Sequence, residues 1–184
     1  YFLSNLWIAD SYYLLEDYKK SKGVYLSLPG NNLKMPERNI AVYNLAYCYF
    51  KLQEYANANT HFRSFIKEDI DSMMLNDSYL RIADGFYMQK EFLLAQKYYA
   101  KSIDLNLFDV DYAIYNRSLC LGLSNQFSKK INLLNILISN YPSSLYLDNA
   151  LFDLANYYSN NNDFKSAFDY YQRVILESNN LDLQ

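Results

Sequence analysis

The chain has 184 residues, 51% of them hydrophobic and 18% aromatic, with a formal net charge of −3. That is enough apolar material for a sizeable core at a length usual for one domain, and four Gly and three Pro leave few breakers for a sheet-rich fold with many tight turns. Lys and Arg are scattered, which argues against nucleic acid or anionic membrane as partner, and no apolar run reaches the roughly 18 residues of a membrane-spanning helix.

Residues 1–28 place apolar side chains at helical spacing. Ile8, Ala9 and Tyr12 predict one face, Glu16-Asp17 a turn, and Tyr18, Ser21, Tyr25 and Leu28 the face of a second helix. Pro29-Gly30-Asn31-Asn32 stops that helix, and Pro36-Glu37 suits a fresh start. Val42, Leu45, Ala46 and Tyr49 follow, then a turn near Leu52-Gln53-Glu54, then Tyr55, Ala58, Phe62 and Phe65. A third unit runs through Tyr79, Ile82, Ala83 and Phe86, turns near Lys90, and continues with Phe92, Ala95, Tyr99 and Ser102. The fourth is the most divergent: Ile114, Ser118 and Leu121, a turn near Asn125, then Phe127, Lys130, Leu134 and Leu137, closing at Pro142. In the fifth, Leu151, Leu154, Ala155 and Tyr158 form one face, Asn160 to Asp163 break it, and Phe164, Ala167, Phe168, Tyr171 and Val174 restart it.

The small residue of each second helix sets a period. Ser21, Ala58, Ala95, Lys130 and Ala167 are spaced by 37, 37, 35 and 37 residues, and self-similarity at such a period signals a solenoid of stacked helix pairs. The expected fold is therefore all-α, with repeats at about 1–33, 36–70, 73–108, 111–142 and 145–178 in a single domain. The residues quoted resemble the tetratricopeptide repeat. Val42, Leu45, Ala46, Tyr49, Tyr55, Ala58 and Phe62 match its pattern, as do their counterparts from Tyr79 to Tyr99 and from Leu151 to Tyr171. The resemblance implies a right-handed α-solenoid of about five helix-turn-helix repeats. The period exceeds the usual 34 residues, and longer connections around 29–36 and 68–73 take up the excess. The departures are Arg117, Ser118 and Lys130, where the pattern has Leu, a small residue and Ala: either the fourth unit packs loosely, or the long stems lie along apolar surface with their charges outward.

Catalysis finds little support. There is no HExxH, GxSxG, carboxylate pair or Gly-rich phosphate loop, so no catalytic residue, cofactor or metal site is assigned. His61 reads as a solvated residue on a charged helix surface. Cys48 and Cys120 fall at one repeat position, which predicts small buried hydrophobes rather than a disulfide or metal site.

The resemblance further implies that first helices line a concave groove that binds protein or peptide segments. The residues carried onto that groove are Leu6, Asp10 and Tyr13; Tyr43, Tyr47 and Phe50; Leu80, Asp84 and Tyr87; Tyr115 and Leu119; and Phe152, Asn156 and Ser159. Tyr and Phe supply rigid contact area at small entropic cost. The family's clamp for a chaperone's terminal carboxylate is not expected, because Tyr43 and Tyr47 stand where it needs Lys and Asn, and Asp10 and Asp84 would repel a carboxylate. The chain is thus expected to be a non-enzymatic interaction module with a protein or peptide partner, without nucleic acid or membrane insertion. The alternative is an architectural segment that self-associates through open solenoid ends. The Asn, Tyr, Lys and Ile usage resembles that of an AT-rich bacterial genome, and cytoplasm and periplasm both stay open. The chain begins at Tyr1 rather than Met, without a visible signal peptide, so it is expected to be part of a longer protein.

Overall fold

The structure, a computed structural model, describes residues 2–28, 35–68 and 70–177. Among them lie ten α-helices: α1 Phe2–Leu14, α2 Tyr18–Ser27, α3 Met35–Lys51, α4 Tyr55–Phe65, α5 Ser72–Met88, α6 Phe92–Leu105, α7 Val110–Leu123, α8 Phe127–Asn140, α9 Leu147–Asn160 and α10 Phe164–Glu177. The expected connection at 29–36 falls largely outside the described residues.

Each helix pair is closed by the same local device. Glu16, Gln53, Lys90, Asn125 and Asn162 all adopt positive φ, between 58 and 63°, and they recur at the 37, 37, 35, 37 spacing of the small residues. The N–H of each following residue returns to a carbonyl five positions earlier, from Asp17 to Tyr12, Glu54 to Tyr49, Glu91 to Phe86, Gln126 to Leu121 and Asp163 to Tyr158, at 2.8–2.9 Å. That is a left-handed helix cap, which satisfies carbonyls that the helix end would otherwise orphan. In the first and last of these turns the next residue caps the following helix. Asp17 accepts from the Lys20 N–H at 3.1 Å, and Asp163 accepts from the Ser166 N–H at 3.1 Å. Such a carboxylate satisfies orphan donors of the first turn.

The small residues sit where helices cross. Ala46, Ala83, Ser118 and Ala155 are fully buried, as are Ala58 and Ala95, with Ala167 nearly so. Close helix approach requires this. Cys48 and Cys120 are buried, as expected.

The chain divides into two compact units, the division falling within α6 between Tyr98 and Tyr99. In the first, Leu6, Ala9, Tyr25, Ala41, Leu45 and Cys48 form one core cluster, with Tyr13, Tyr18 and Tyr49 packed on it. In the second, Val110, Ile114, Leu134, Leu137, Ala150 and Leu154 do the same. A fully buried Leu or Phe of this kind contributes about 1.5–3 kcal/mol.

Three expectations are corrected. Ile8, Phe164 and Phe168 were placed on core faces yet are exposed, because α1 and α10 each have a flank against which no other described helix packs. His61 is not a solvated surface residue: its ring stacks on Tyr49 at 5.1 Å and 12°, and burial pushes its pKa down. Of the two alternatives for the fourth unit, loose packing does not hold at Lys130, whose stem lies against Gly122 on α7. The outward charge does not hold either, because Nζ pairs with Asp153 at 2.7 Å with both side chains largely buried.

Candidate functional site

Within the first unit, the first helices of successive pairs stand side by side, and their tyrosines form a ladder. Tyr13 on α1 meets Tyr47 on α3 edge-on at 6.4 Å, and Tyr47 meets Tyr43 at 5.1 Å. Both α3 rings also rest on buried Phe62 of α4, at 5.9 and 5.2 Å. Edge-to-face geometry of this kind sets the positive ring edge against the negative ring face.

The hydroxyls are held by the next repeat. Tyr43 donates to Asp77 Oδ2 on α5 at 2.6 Å, and Tyr47 donates to the same oxygen. Arg81 lies beside Asp77 at 3.5 Å and Asp84 at 2.7 Å, and its guanidinium stands 5.7 Å over the Phe50 ring. Burial first, and then the Asp77 carboxylate, push the Tyr43 and Tyr47 hydroxyls far above the usual tyrosine range. Burial pushes Tyr13 up to about 12, with Tyr18 adding to it. All three therefore stay protonated at neutral pH, Tyr43 and Tyr47 as hydrogen-bond donors.

Asp10 is engaged in a similar way. It accepts from Tyr25 on α2 and from Asn44 Nδ2 at 3.1 Å. A counterpart recurs in the second unit, where Tyr171 on α10 donates to Asn156 Oδ1 on α9 at 2.8 Å. In both, a second-helix tyrosine pins a polar first-helix residue of its own pair.

Of the residues carried over by the resemblance, Tyr13, Tyr43, Tyr47, Phe50 and Tyr87 are half-buried, each with part of its surface open. Leu80 is 0% exposed and offers a partner no surface. It stands where Tyr43 stands one repeat earlier but has no polar tip to keep in water, so it sinks into the core. Leu6 is buried for the same reason, and Asp84 is buried against Arg81. In the second unit, Tyr115 stacks on Tyr146 at 5.3 Å, Leu119 and Ser159 are half-buried, and Phe152 is exposed beside Tyr171 at 5.9 Å. Sequence reasoning missed Asp77 and Arg81. Their i, i+4 spacing on α5 was a readable signal of an ion pair, but nothing local showed that Asp77 would collect two hydroxyls from the preceding repeat.

Among the described residues no cluster of His, Cys, Asp or Glu could hold a metal ion, and no helix is long and apolar enough to cross a membrane. Two family models, both described as tetratricopeptide repeat, match residues 41–69 and 148–180. These two segments are tetratricopeptide repeats. Solved structures of the same fold cover nearly all of the chain. MamA aligns at 18% identity over 92% of this chain and 94% of its own, with a TM-score of 0.77. A MamA fragment from Desulfovibrio magneticus RS-1 aligns at 15% identity over 95% and 93%, with a TM-score of 0.74. YrrB, described as a TPR protein with an unusual peptide-binding site, aligns at 13% identity over 100% and 89%, also with a TM-score of 0.74. No curated protein sequence matches. With ten helices in successive pairs among the described residues and solved structures of the same fold, the chain is an all-α helical repeat solenoid.

Proposed function

We propose that the open face of α1, α3 and α5 in the first unit binds a segment of a partner protein, through Tyr13, Tyr43, Tyr47, Phe50 and Tyr87. The observation that carries this reading is the clamping of Tyr43 and Tyr47 by Asp77. Rings fixed in place before binding lose little rotamer freedom when a partner arrives, so more of the contact energy is kept as affinity. YrrB, of the same fold, is described as having a peptide-binding site, which is consistent with a peptide-like occupant here. Phe152 and Asn156 of the second unit are proposed as contacts of the same kind.

The test uses the chain as bait in lysate of its source organism, followed by titration of the purified partner. Because Tyr47 also packs on buried Phe62, the informative variant is Phe50→Ala/Tyr87→Ala, with unchanged helicity as a control. At least tenfold weaker binding by the folded variant supports the face. Undiminished affinity overturns it.

A second reading has its own observation. α1 exposes Leu3, Trp7 and Leu14, and α10 exposes Phe164, Phe168 and Ile175, in both cases at the spacing of one helix stripe. We propose as the alternative that these stripes pack on further helical elements or on another copy of the chain, because repeat arrays bury such faces against neighbours. Sedimentation velocity over a hundredfold range of concentration decides whether copies associate. A constant monomer counts against copy-to-copy stacking.

A further inference from the structure

Lys130 stands where the other second helices carry Ser21, Ala58, Ala95 and Ala167, and the second unit is built to hold it. Gly122 supplies the room: a Cβ there would lie 3.1 Å from Lys130 Cδ. The stem passes this gap, and Nζ reaches Asp153 Oδ2 on the neighbouring α9 at 2.7 Å, with both side chains largely buried. Beside the pair opens a hollow of about 320 Å³, walled by Phe127, Asn156, Tyr157 and Asn160. The Phe127 and Tyr157 rings stand 6.1 Å apart. Asn156 has its amide oxygen committed to Tyr171, which leaves its N–H donors for the hollow.

We propose that this hollow anchors one aromatic side chain of an extended peptide, with the adjacent peptide group seated on the Lys130–Asp153 pair. The proposal rests on the reading of the chain as a protein-binding module and adds to it a site and a side-chain preference. Three features support it. The volume lies at the small end of ligand sites, about 300–1,000 Å³, which suits a single residue. The two charges cancel, so a charged ligand would meet one attractive and one repulsive group, whereas a neutral amide satisfies both. An ammonium has three donors and a carboxylate about four acceptor sites, so Nζ can donate to a peptide carbonyl while Asp153 accepts a peptide N–H, without breaking their own contact. The two rings then receive the aromatic side chain in offset or edge-on contact.

The test is a titration of the ¹⁵N-labelled chain, read by NMR, with N-acetyl-L-phenylalanine amide, N-acetyl-L-alanine amide and N-acetyl-L-glutamic acid amide. The phenylalanine probe is expected to shift the amides of Gly122, Asn156, Tyr157 and Asn160 saturably, with a Kd on the order of millimolar. The other two probes should bind at least fivefold more weakly. Lys130→Ala restores the residue found at Ala58, Ala95 and Ala167 and should weaken the phenylalanine probe at least fivefold; if that variant loses helicity, Asp153→Asn supplies the comparison. Absence of saturable shifts at these residues, equal affinity for the three probes, or unchanged binding by the folded variant overturns the proposal. Shifts confined to α3 and α5 overturn the pocket while leaving the first-unit face standing. Saturable shifts here, with undiminished partner binding by Phe50→Ala/Tyr87→Ala, keep the pocket and remove that face.

Discussion

Gly85 and Asn59 form a coupled pair whose behaviour can be worked out from their contacts. Gly85 lies inside α5, where Gly costs about 1 kcal/mol relative to Ala, so Gly85→Ala would ordinarily stabilise. Here an added Cβ would lie 3.0 Å from Asn59 Cγ and 3.1 Å from Nδ2, with Oδ1 nearer still. Asn59 is 3% exposed and has little space to swing away. Overpacking of this kind costs about 1–3 kcal/mol, so Gly85→Ala alone should destabilise by about 1 kcal/mol after its helix gain is subtracted. Among the described residues, neither amide atom of Asn59 has a hydrogen-bond partner. A buried unsatisfied amide costs about 1–3 kcal/mol, so Asn59→Ala should stabilise by about 1 kcal/mol despite the packing lost. In that background Gly85→Ala reverses sign and adds about 1 kcal/mol, a coupling of about 2 kcal/mol. Thermal melts of the four proteins, followed by circular dichroism, read this as shifts of about 2–4 °C per kcal/mol for a chain of this size. Additive shifts, with Gly85→Ala having the same sign in both backgrounds, would refute the steric reasoning.

Other outcomes follow from the turns and the tyrosines. Gln53→Gly and Lys90→Gly relieve a positive-φ residue and should each raise stability by about 1 kcal/mol, with a smaller gain at Asn125→Gly because Asn tolerates that conformation; urea titrations measure the difference. Tyr13 has a folded pKa raised to about 12 against about 10 unfolded, so its contribution to stability is complete below about pH 10 and is lost as pH rises towards 12. Tyr25, Tyr43 and Tyr47, raised further by burial, extend the loss upward, and melting temperature should fall steadily through this window while ultraviolet absorbance shows a tyrosine fraction that ionises only on unfolding. Cys48 is buried, and burial pushes its thiol pKa up, so a thiol reagent should react with it only at the rate of opening of the fold.

The helices and their register were readable because the signal is local and recurs. Ala46, Ala83 and Ala155 each combine a small residue with apolar neighbours at helical spacing, and five turns interrupt that pattern at one period. Exposure was harder to read. Phe164 and Phe168 continue the apolar pattern of α10, yet their burial depends on what packs against that helix, and helical periodicity carries no such information. At the first-unit face the ring positions followed from spacing, whereas the fate of the hydroxyls did not, because Asp77 lies 34 and 30 residues beyond the two tyrosines it binds. Lys130 was legible only as a departure. Its meaning depends on Gly122 and Asp153, which tertiary packing brings to it from either side.

Hydrogen–deuterium exchange of the chain with its captured partner tests the central claim most directly. Partner binding at the first-unit face predicts slowed exchange in α1, α3 and α5, centred on the segments around Tyr13, Tyr43–Phe50 and Tyr87, with α2 and α4 unchanged. Protection confined to the exposed stripes of α1 and α10, or to the second helices, would contradict it.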